Sequence, residues 1–199
     1  MTGQGNVTTE RMDGAAAVGA ASTFRLIYAE AFAGPPYFET GEAVAAAFRR
    51  FPRQARRPGF RAALARTGDG EPVGAAYGHL VPAGTPWWRE LTEPVPEAMS
   101  REDGRRTFGL MELAVREKWR GQGVARRLHA TLLGGLTAER VLLNVHPASG
   151  PASAAYRSWG YRKVGEGRPG GESAGLHDVM LLDLGRRLSG RTPRTPHLG

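Results

Sequence analysis

A segment in which a strand runs into a glycine turn and then into a helix constrains this chain more than any other part of it. The apolar run Thr107–Val115 predicts a strand, residues 120–123 predict a tight turn, and the apolar stripe that starts at Val124 predicts a helix. Glycine lets the backbone approach a ligand closely, and the first N–H groups of a helix have no intrahelical partner. Such a turn, at the positive end of the helix dipole, is typical of a site for a phosphate or another anion.

The spacing of the glycines excludes two common nucleotide-binding motifs. The chain contains no Gly-x-x-x-x-Gly-Lys-Ser/Thr run. A dinucleotide fingerprint requires Gly or Ala three residues after Gly123, where Arg126 stands, and an acid about 20 residues further on, where the neutral Asn144 stands. The pattern that remains is Arg120-x-x-Gly123-x-Ala125 after a strand.

This pattern resembles the signature of the GNAT superfamily of N-acetyltransferases, which reads Arg/Gln-x-x-Gly-x-Gly/Ala. Residues 110–115 followed by 120–125 are similar to that family's central strand and pyrophosphate loop. A second block has the family's spacings at Val145, Ala152, Ala155-Tyr156 and Gly160-Tyr161. The sequence departs from the family at Ser149, where Asn is usual, and at Ala155, where Leu is usual. The resemblance is firm over residues 107–164 and fainter over the first hundred residues.

The resemblance implies a single α/β (α+β) domain with a mixed, mostly antiparallel central sheet flanked by helices. Strand and helix patterns that alternate along the chain favour the same class. We expect the domain to cover residues 1–189 and residues 190–199, which hold two prolines and no apolar pattern, to form a disordered tail. The other predicted elements are strands at 7–12, 60–65, 73–81, 141–145, 161–164 and 178–184, and helices at 21–32, 42–51 (ending at Pro52) and 151–159.

The resemblance also implies acetyl-CoA as the acetyl donor and a primary amine of a small molecule, peptide or protein as the acceptor. Backbone groups of the central strand would pair with the pantetheine arm and polarise the thioester carbonyl, and the glycine turn would hold the pyrophosphate. The predicted cofactor-binding residues are therefore Leu113, Ala114, Val115, Arg120, Gly121, Gln122, Gly123, Val124, Ala125, Arg126 and Ser149.

Two side chains are candidates for proton transfer. An alkyl ammonium, with a pKa of about 10.4, must lose its proton before it can attack. Glu112 lies among apolar neighbours in the predicted strand and is the candidate base, directly or through water; the alternative is an outward-facing surface carboxylate. Tyr156 stands where the family commonly has its general acid for the leaving thiolate; the alternative is a buried helical aromatic residue.

Other polar and aromatic residues give weaker signals. A cationic acceptor would be attracted to acids, and Glu30, Glu39, Glu42 and the acids within 90–103 are candidates by location. Trp87 and Trp88 could either cover a substrate pocket or anchor their loop. The five histidines lack metal-ligand spacing and the chain has no cysteine, so we expect no metal site.

The net charge of +8 raises the question of a nucleic-acid partner. All basic residues except Lys118 and Lys163 are arginines, and they are scattered along the chain, which indicates a coding bias more than a binding surface. A basic nucleic-acid-binding or regulatory module stays the alternative, as does a CoA-binding protein of the same fold without turnover. No apolar run approaches the roughly 20 residues of a membrane span, so we expect a cytoplasmic protein. A homodimer stays open, because dimers are common in the family.

Overall fold

The structure is a computed structural model that describes residues 6–171 and 175–185. It has the predicted fold class, with helices and a seven-stranded mixed sheet. The strands are β1 (Thr8–Met12), β2 (Arg61–Arg66), β3 (Pro72–Leu80), β4 (Thr107–Val115), β5 (Arg140–Val145), β6 (Arg162–Gly167) and β7 (His177–Asp183). The helices are α1 (Gly14–Gly19), α2 (Ala21–Phe32), α3 (Gly41–Gln54), α4 (Glu97–Ser100), α5 (Val124–Leu133) and α6 (Gly150–Ser158). The predicted tail at 190–199 lies outside the described residues.

The described residues divide into two compact units, of which the first comprises 6–81 and 108–136. In this unit β1, β2, β3 and β4 follow one another as antiparallel neighbours. The small or apolar side chains of Leu64, Ala75 and Ala114 face a core to which α2 contributes Phe24 and α3 contributes Phe51. Both rings are almost fully buried, so α2 and α3 cover this face of the sheet.

Helix α5 packs against the opposite face of the same strands, and a glycine makes this packing possible. A Cβ on Gly74 of β3 would lie 2.9 Å from Cδ1 of Leu128 and 3.0 Å from the carbonyl oxygen of Ala114. Val124 and Leu128 on α5 are fully buried. This close contact fixes the N-terminus of α5, and therefore the glycine turn before it, at the end of β4.

The second unit comprises 82–107 and the described residues from 137 to 185. Its strand β7 pairs antiparallel with β5 on one side and with β6 on the other. Leu142, Val179 and Leu181 form its core together with Trp88, which comes from the loop between β3 and β4.

A buried ion pair anchors that loop. Nη2 of Arg140 donates to Oε1 of Glu102 at 2.8 Å, and the two side chains are 5% and 0% exposed. The same carboxylate oxygen accepts from Nε1 of Trp88 at 2.9 Å and from the hydroxyl of Thr107 at 2.8 Å. Nε1 of Trp87 donates to Asn144 at 3.0 Å, so both tryptophans anchor the loop.

The structure differs from the sequence prediction at three helices, one of which is the single turn α4, in a segment where no helix was predicted. The prediction that the second helix ends at Pro52 is wrong, because α3 continues to Gln54. Proline removes one N–H donor there, but the burial of Phe51 keeps this turn against the sheet. Helix α1 was not predicted, since its alanine-rich sequence has no apolar period; Asp13 caps it by accepting from the Ala16 N–H at 2.9 Å.

Candidate active site

A β-bulge in β4 directs the candidate base. Tyr77 of β3 is opposite Glu112, but the next residue, Gly78, is opposite Leu110, so Met111 is an extra residue on β4. Bulges change the local twist and re-aim the side chains beside them. Because residues opposite each other point to the same face, Glu112 lies on the face of Tyr77 and Ala114, which is the face covered by α2 and α3.

The Glu112 carboxyl group is held in a poorly solvated environment. The pKa of Glu112 is raised from its usual value of 4.5 to about 8, mainly by burial. The hydrogen bond from the Leu113 N–H lowers this pKa, and the charge of Glu39 raises it. Burial and then the Glu112 charge raise the pKa of Tyr28 and of Tyr77 above the usual range of a phenol. A carboxyl group with this pKa can accept a proton near neutral pH and release it again.

The backbone groups of Leu113 and Val115 point away from β3. The Arg116 N–H donates to the Val73 carbonyl at 3.0 Å, which fixes the alternation of hydrogen-bonded pairs along this ladder. By that alternation Ala114 bonds to β3, whereas the N–H and C=O groups of Leu113 and Val115 face the other edge of β4. The Leu113 N–H donates to Oε1 of its neighbour Glu112 at 3.2 Å.

The glycine turn has the backbone conformation that an anion cradle requires. Gly121 and Gly123 have φ values of 73° and 76°, in the left-handed region where glycine is free of strain. Among the described residues nothing lies within 4 Å of a Cβ placed on either glycine. Arg127 is the first residue of α5 whose N–H bonds to a backbone carbonyl, that of Gly123 at 3.1 Å. The preceding amides, beginning at Val124, are the first donors of the helix, and no backbone carbonyl among the described residues accepts from them.

The arginines of this turn have different surroundings. Nη2 of Arg120 donates to the Ala31 carbonyl at the end of α2 at 2.6 Å, and its Nε donates to the Val115 carbonyl at 3.2 Å. Arg120 therefore ties the end of β4 to α2. Arg126 is exposed on the first turn of α5. Gln122 donates through its side chain to the Lys118 carbonyl at 2.9 Å, which orders the turn from within.

The remaining predicted residues belong to the second unit, on α6. Tyr156 is 9% exposed, and its ring packs against those of Trp159 and Tyr161 at centroid distances of 5.5 and 5.4 Å. Ser149 starts the helix and is buried. One turn later, the buried hydroxyl of Ser153 has no hydrogen-bond partner among the described residues. Ser149 and Tyr156 thus lie on one helix, two turns apart.

The model of the acetyltransferase (GNAT) family matches residues 24–161, which include β4, the glycine turn and α6 up to Tyr156. The chain belongs to the GNAT acetyltransferase family. No curated protein matches it.

Solved structures share the GNAT fold at low sequence identity. A protein from Desulfovibrio desulfuricans described as an acetyltransferase of the GNAT family has a TM-score of 0.62 at 15% identity, over 89% of this chain and 98% of that one. A chimera of spermidine N-acetyltransferase from Vibrio cholerae has a TM-score of 0.59 at 12% identity, over 93% and 99%. The PaiA N-acetyltransferase of Thermoplasma acidophilum, solved with coenzyme A, has a TM-score of 0.55 at 10% identity, over 89% and 99%.

No helix within the described residues is long and apolar enough to cross a membrane. The same part of the chain holds no group of three or more histidine and carboxylate side chains placed to bind a metal ion.

Two of the three residues that interact with the candidate base of this GNAT protein, Tyr28 and Tyr77, were not among the residues singled out from the sequence. The charge of Glu39, in the segment after α2, raises the pKa of Glu112. The charge of Glu112 in turn raises the pKa of Tyr28 on α2 and of Tyr77 on β3. Glu39 was a candidate by location only. Tyr77 can be found only from the register of β3 with β4, because that antiparallel pairing places it opposite Glu112.

Proposed function

We propose that this GNAT protein transfers the acetyl group of acetyl-CoA to a primary amine, which attacks the thioester directly in a ternary complex. The observation that carries the proposal is Glu112, a poorly solvated carboxyl group of pKa about 8 beside the bulge of β4 and next to the Leu113 N–H. A base of this strength suits the removal of a proton from an ammonium group near neutral pH.

The residues of the glycine turn fit a pyrophosphate group. We assign the amides of residues 121–125 to the phosphate oxygens, because the turn is open above both glycines and the first helical donors are unpaired. Exposed Arg126 supplies positive charge. We assign Arg120 to holding the turn in place, through its bonds to the Ala31 and Val115 carbonyls.

The pantetheine arm is assigned to the edge of β4 that faces away from β3, beside Leu113 and Val115. The N–H and C=O groups of Leu113 and Val115 face that edge, with Ala114 between them holding β4 to β3. Ser149, at the start of α6, is assigned to the same arm in the place of the family's usual Asn. When acetyl-CoA is bound it supplies the activated acetyl group.

The reaction then needs three groups of this chain. Glu112 takes the proton of the ammonium, the freed amine forms the new C–N bond, and the Leu113 N–H stabilises the negative oxygen that develops on the carbonyl. As the C–S bond breaks, the Tyr156 phenol protonates the leaving thiolate, whose thiol has a pKa of about 8.5. The second proton of the attacking nitrogen passes to the Tyr156 phenolate, and Glu112 releases the proton of the ammonium to solvent. The balance is one ammonium and one thioester in, and one amide, one thiol and one proton out.

The first test is thermal unfolding with and without acetyl-CoA, followed by thiol release with a panel of primary amines. At 100 times its dissociation constant a ligand adds about 2.7 kcal/mol, which corresponds to roughly 5–11 °C for a chain of this size. Glu112→Gln and Tyr156→Phe should keep that shift and lose thiol release. No shift in folded protein, together with salt-dependent binding to DNA or RNA, would refute the proposal.

A further inference from the structure

Four partly exposed aromatic rings lie on α2, on α3 and in the segment between these helices, and they contact one another. The rings of Tyr28 and Phe32 are 4.8 Å apart between centroids, Phe32 and Tyr37 are 4.7 Å apart, and Tyr28 and Phe48 are 5.7 Å apart. Unlike Phe51 beneath them, these four residues keep part of their surface accessible. We call Tyr28, Phe32, Tyr37, Glu39, Phe48 and Glu112 the acidic–aromatic patch.

Two carboxylates belong to this patch, and within the described part of the chain no ion pair joins either of them to a basic side chain. The Glu39 charge acts on both the Tyr28 hydroxyl and Glu112, and it raises the pKa of each. Arg50 of α3 is close enough to lower the pKa of Tyr28 and Tyr77, but among the described residues no ion pair joins it to either carboxylate.

Phe38, next to Glu39, adds another accessible ring. Its side chain is 66% exposed, and its backbone has a φ of 47°, which a non-glycine residue rarely adopts. The segment between α2 and α3 thus presents an aromatic side chain and a carboxylate side by side.

From this arrangement we infer that the acceptor carries a second positive charge, which Glu39 and the rings of Tyr28, Phe32, Tyr37 and Phe48 bind while Glu112 deprotonates the reacting amine. The inference rests on the proposed function and names its substrate class, an amine with a further ammonium or guanidinium group. Aromatic faces attract organic cations, and a carboxylate beside them adds a charge-assisted hydrogen bond. A methyl group in place of that cation would leave the Glu39 charge unpaired against an apolar chain.

The test compares acceptors that differ by one charge. Thiol release is measured with a series of α,ω-diaminoalkanes and with the n-alkylamines in which methyl replaces one ammonium group. Each series is run on the wild type, on Glu39→Gln and on Glu10→Gln. The last variant removes the same charge from β1, where Glu10 is exposed and its ion pair with Arg66 is long, at 3.9 Å. Thermal unfolding shows whether the variants are folded.

We expect the wild type to favour diamines in kcat/KM by about 10-fold or more, which corresponds to about 1.4 kcal/mol. Glu39→Gln should bring the ratio of diamine to alkylamine kcat/KM close to one, mainly through a higher KM for the diamines, whereas Glu10→Gln should keep the wild-type ratio. Equal kcat/KM for both series in the wild type, or a preference that survives in Glu39→Gln, would overturn the inference.

A binding measurement separates the inference from the proposed function. Calorimetric titration of the protein with CoA present measures diamine and alkylamine affinity without turnover. If diamines bind more tightly than alkylamines and Glu39→Gln removes the difference, the acidic–aromatic patch binds the second charge. This conclusion would hold even if no amine released thiol, because the absence of thiol release would refute only the acetyl transfer. Diamine binding that is equal in the wild type and Glu39→Gln would refute the patch whatever the activity.

Discussion

Replacing Glu112 by Gln tests the candidate base through the pH dependence of the reaction. With a pKa of about 8, the carboxylate fraction is about 1% at pH 6, about 9% at pH 7 and about 90% at pH 9. Turnover that depends on this carboxylate should therefore rise roughly 90-fold between pH 6 and pH 9, whereas a solvated glutamate would be ionised throughout. Loss of a positioned base should lower kcat/KM by about 10² to 10⁴.

The assay is thiol release as a function of pH with two acceptors. A primary alkylamine needs the base, whereas hydroxylamine is already unprotonated at neutral pH and does not. Glu112→Gln should therefore be strongly impaired with the alkylamine and nearly normal with hydroxylamine, and Glu10→Gln should match the wild type with both. An equal loss with both acceptors, or a wild-type profile for hydroxylamine that rises as steeply as that for the alkylamine, would refute Glu112 as the base.

The raised pKa of Glu112 also determines whether the free energy of unfolding rises or falls with pH. Because burial raises the pKa of Glu112 in the folded chain from 4.5 to about 8, the folded state holds more protons than the unfolded state between these values. The free energy of unfolding therefore falls as the pH rises through this window. Thermal unfolding should show Glu112→Gln with a higher Tm than the wild type at pH 9 and no such advantage at pH 4; the reverse order would contradict the burial of this group.

Three further substitutions probe the framework of the two units. Glu102→Ala leaves the buried Arg140 without its partner and should cost about 3–5 kcal/mol in denaturant unfolding, whereas Glu97→Ala in an exposed pair should cost about 1 kcal/mol or less. Gly74→Ala should cost about 1–3 kcal/mol, because its Cβ would lie 2.9 Å from a leucine methyl on α5. Gly123→Val forces a β-branched side chain to a φ of 76° in the turn, and should weaken acetyl-CoA binding in calorimetry more than it lowers Tm.

Local patterns in the sequence predicted the elements that carry the family signature. The strand Thr107–Val115 has the predicted bounds, and α5 begins at Val124 as the apolar stripe indicates. Apolar period and glycine positions are local properties, so they can be found without the fold. The bulge at Met111 cannot be found from local patterns, because a bulge is defined by how β4 pairs with β3.

The surroundings of the candidate site depend on packing that the sequence does not display. Arg120 belongs to the predicted turn, but its guanidinium bonds to Ala31, 89 residues earlier in the chain. Glu39 acts on Glu112 only because α2 and α3 lie on the face of the sheet to which β4 directs that carboxyl group. Sequence patterns therefore identified the turn and the candidate base, whereas the groups that change the pKa of this candidate were found only in the structure.

The bond between Glu112 and the Leu113 N–H links two steps of the proposed reaction. The N–H that would stabilise the thioester oxygen donates at 3.2 Å to the carboxylate that would act as the base, and it lowers the pKa of that carboxylate. One N–H cannot serve both acceptors at full strength. Once the carbonyl oxygen of a bound thioester takes this donor, Glu112 loses a stabilising bond to its charged form, so its pKa rises and it becomes a stronger base. In this arrangement the base gains strength when the acetyl group is in position to be attacked.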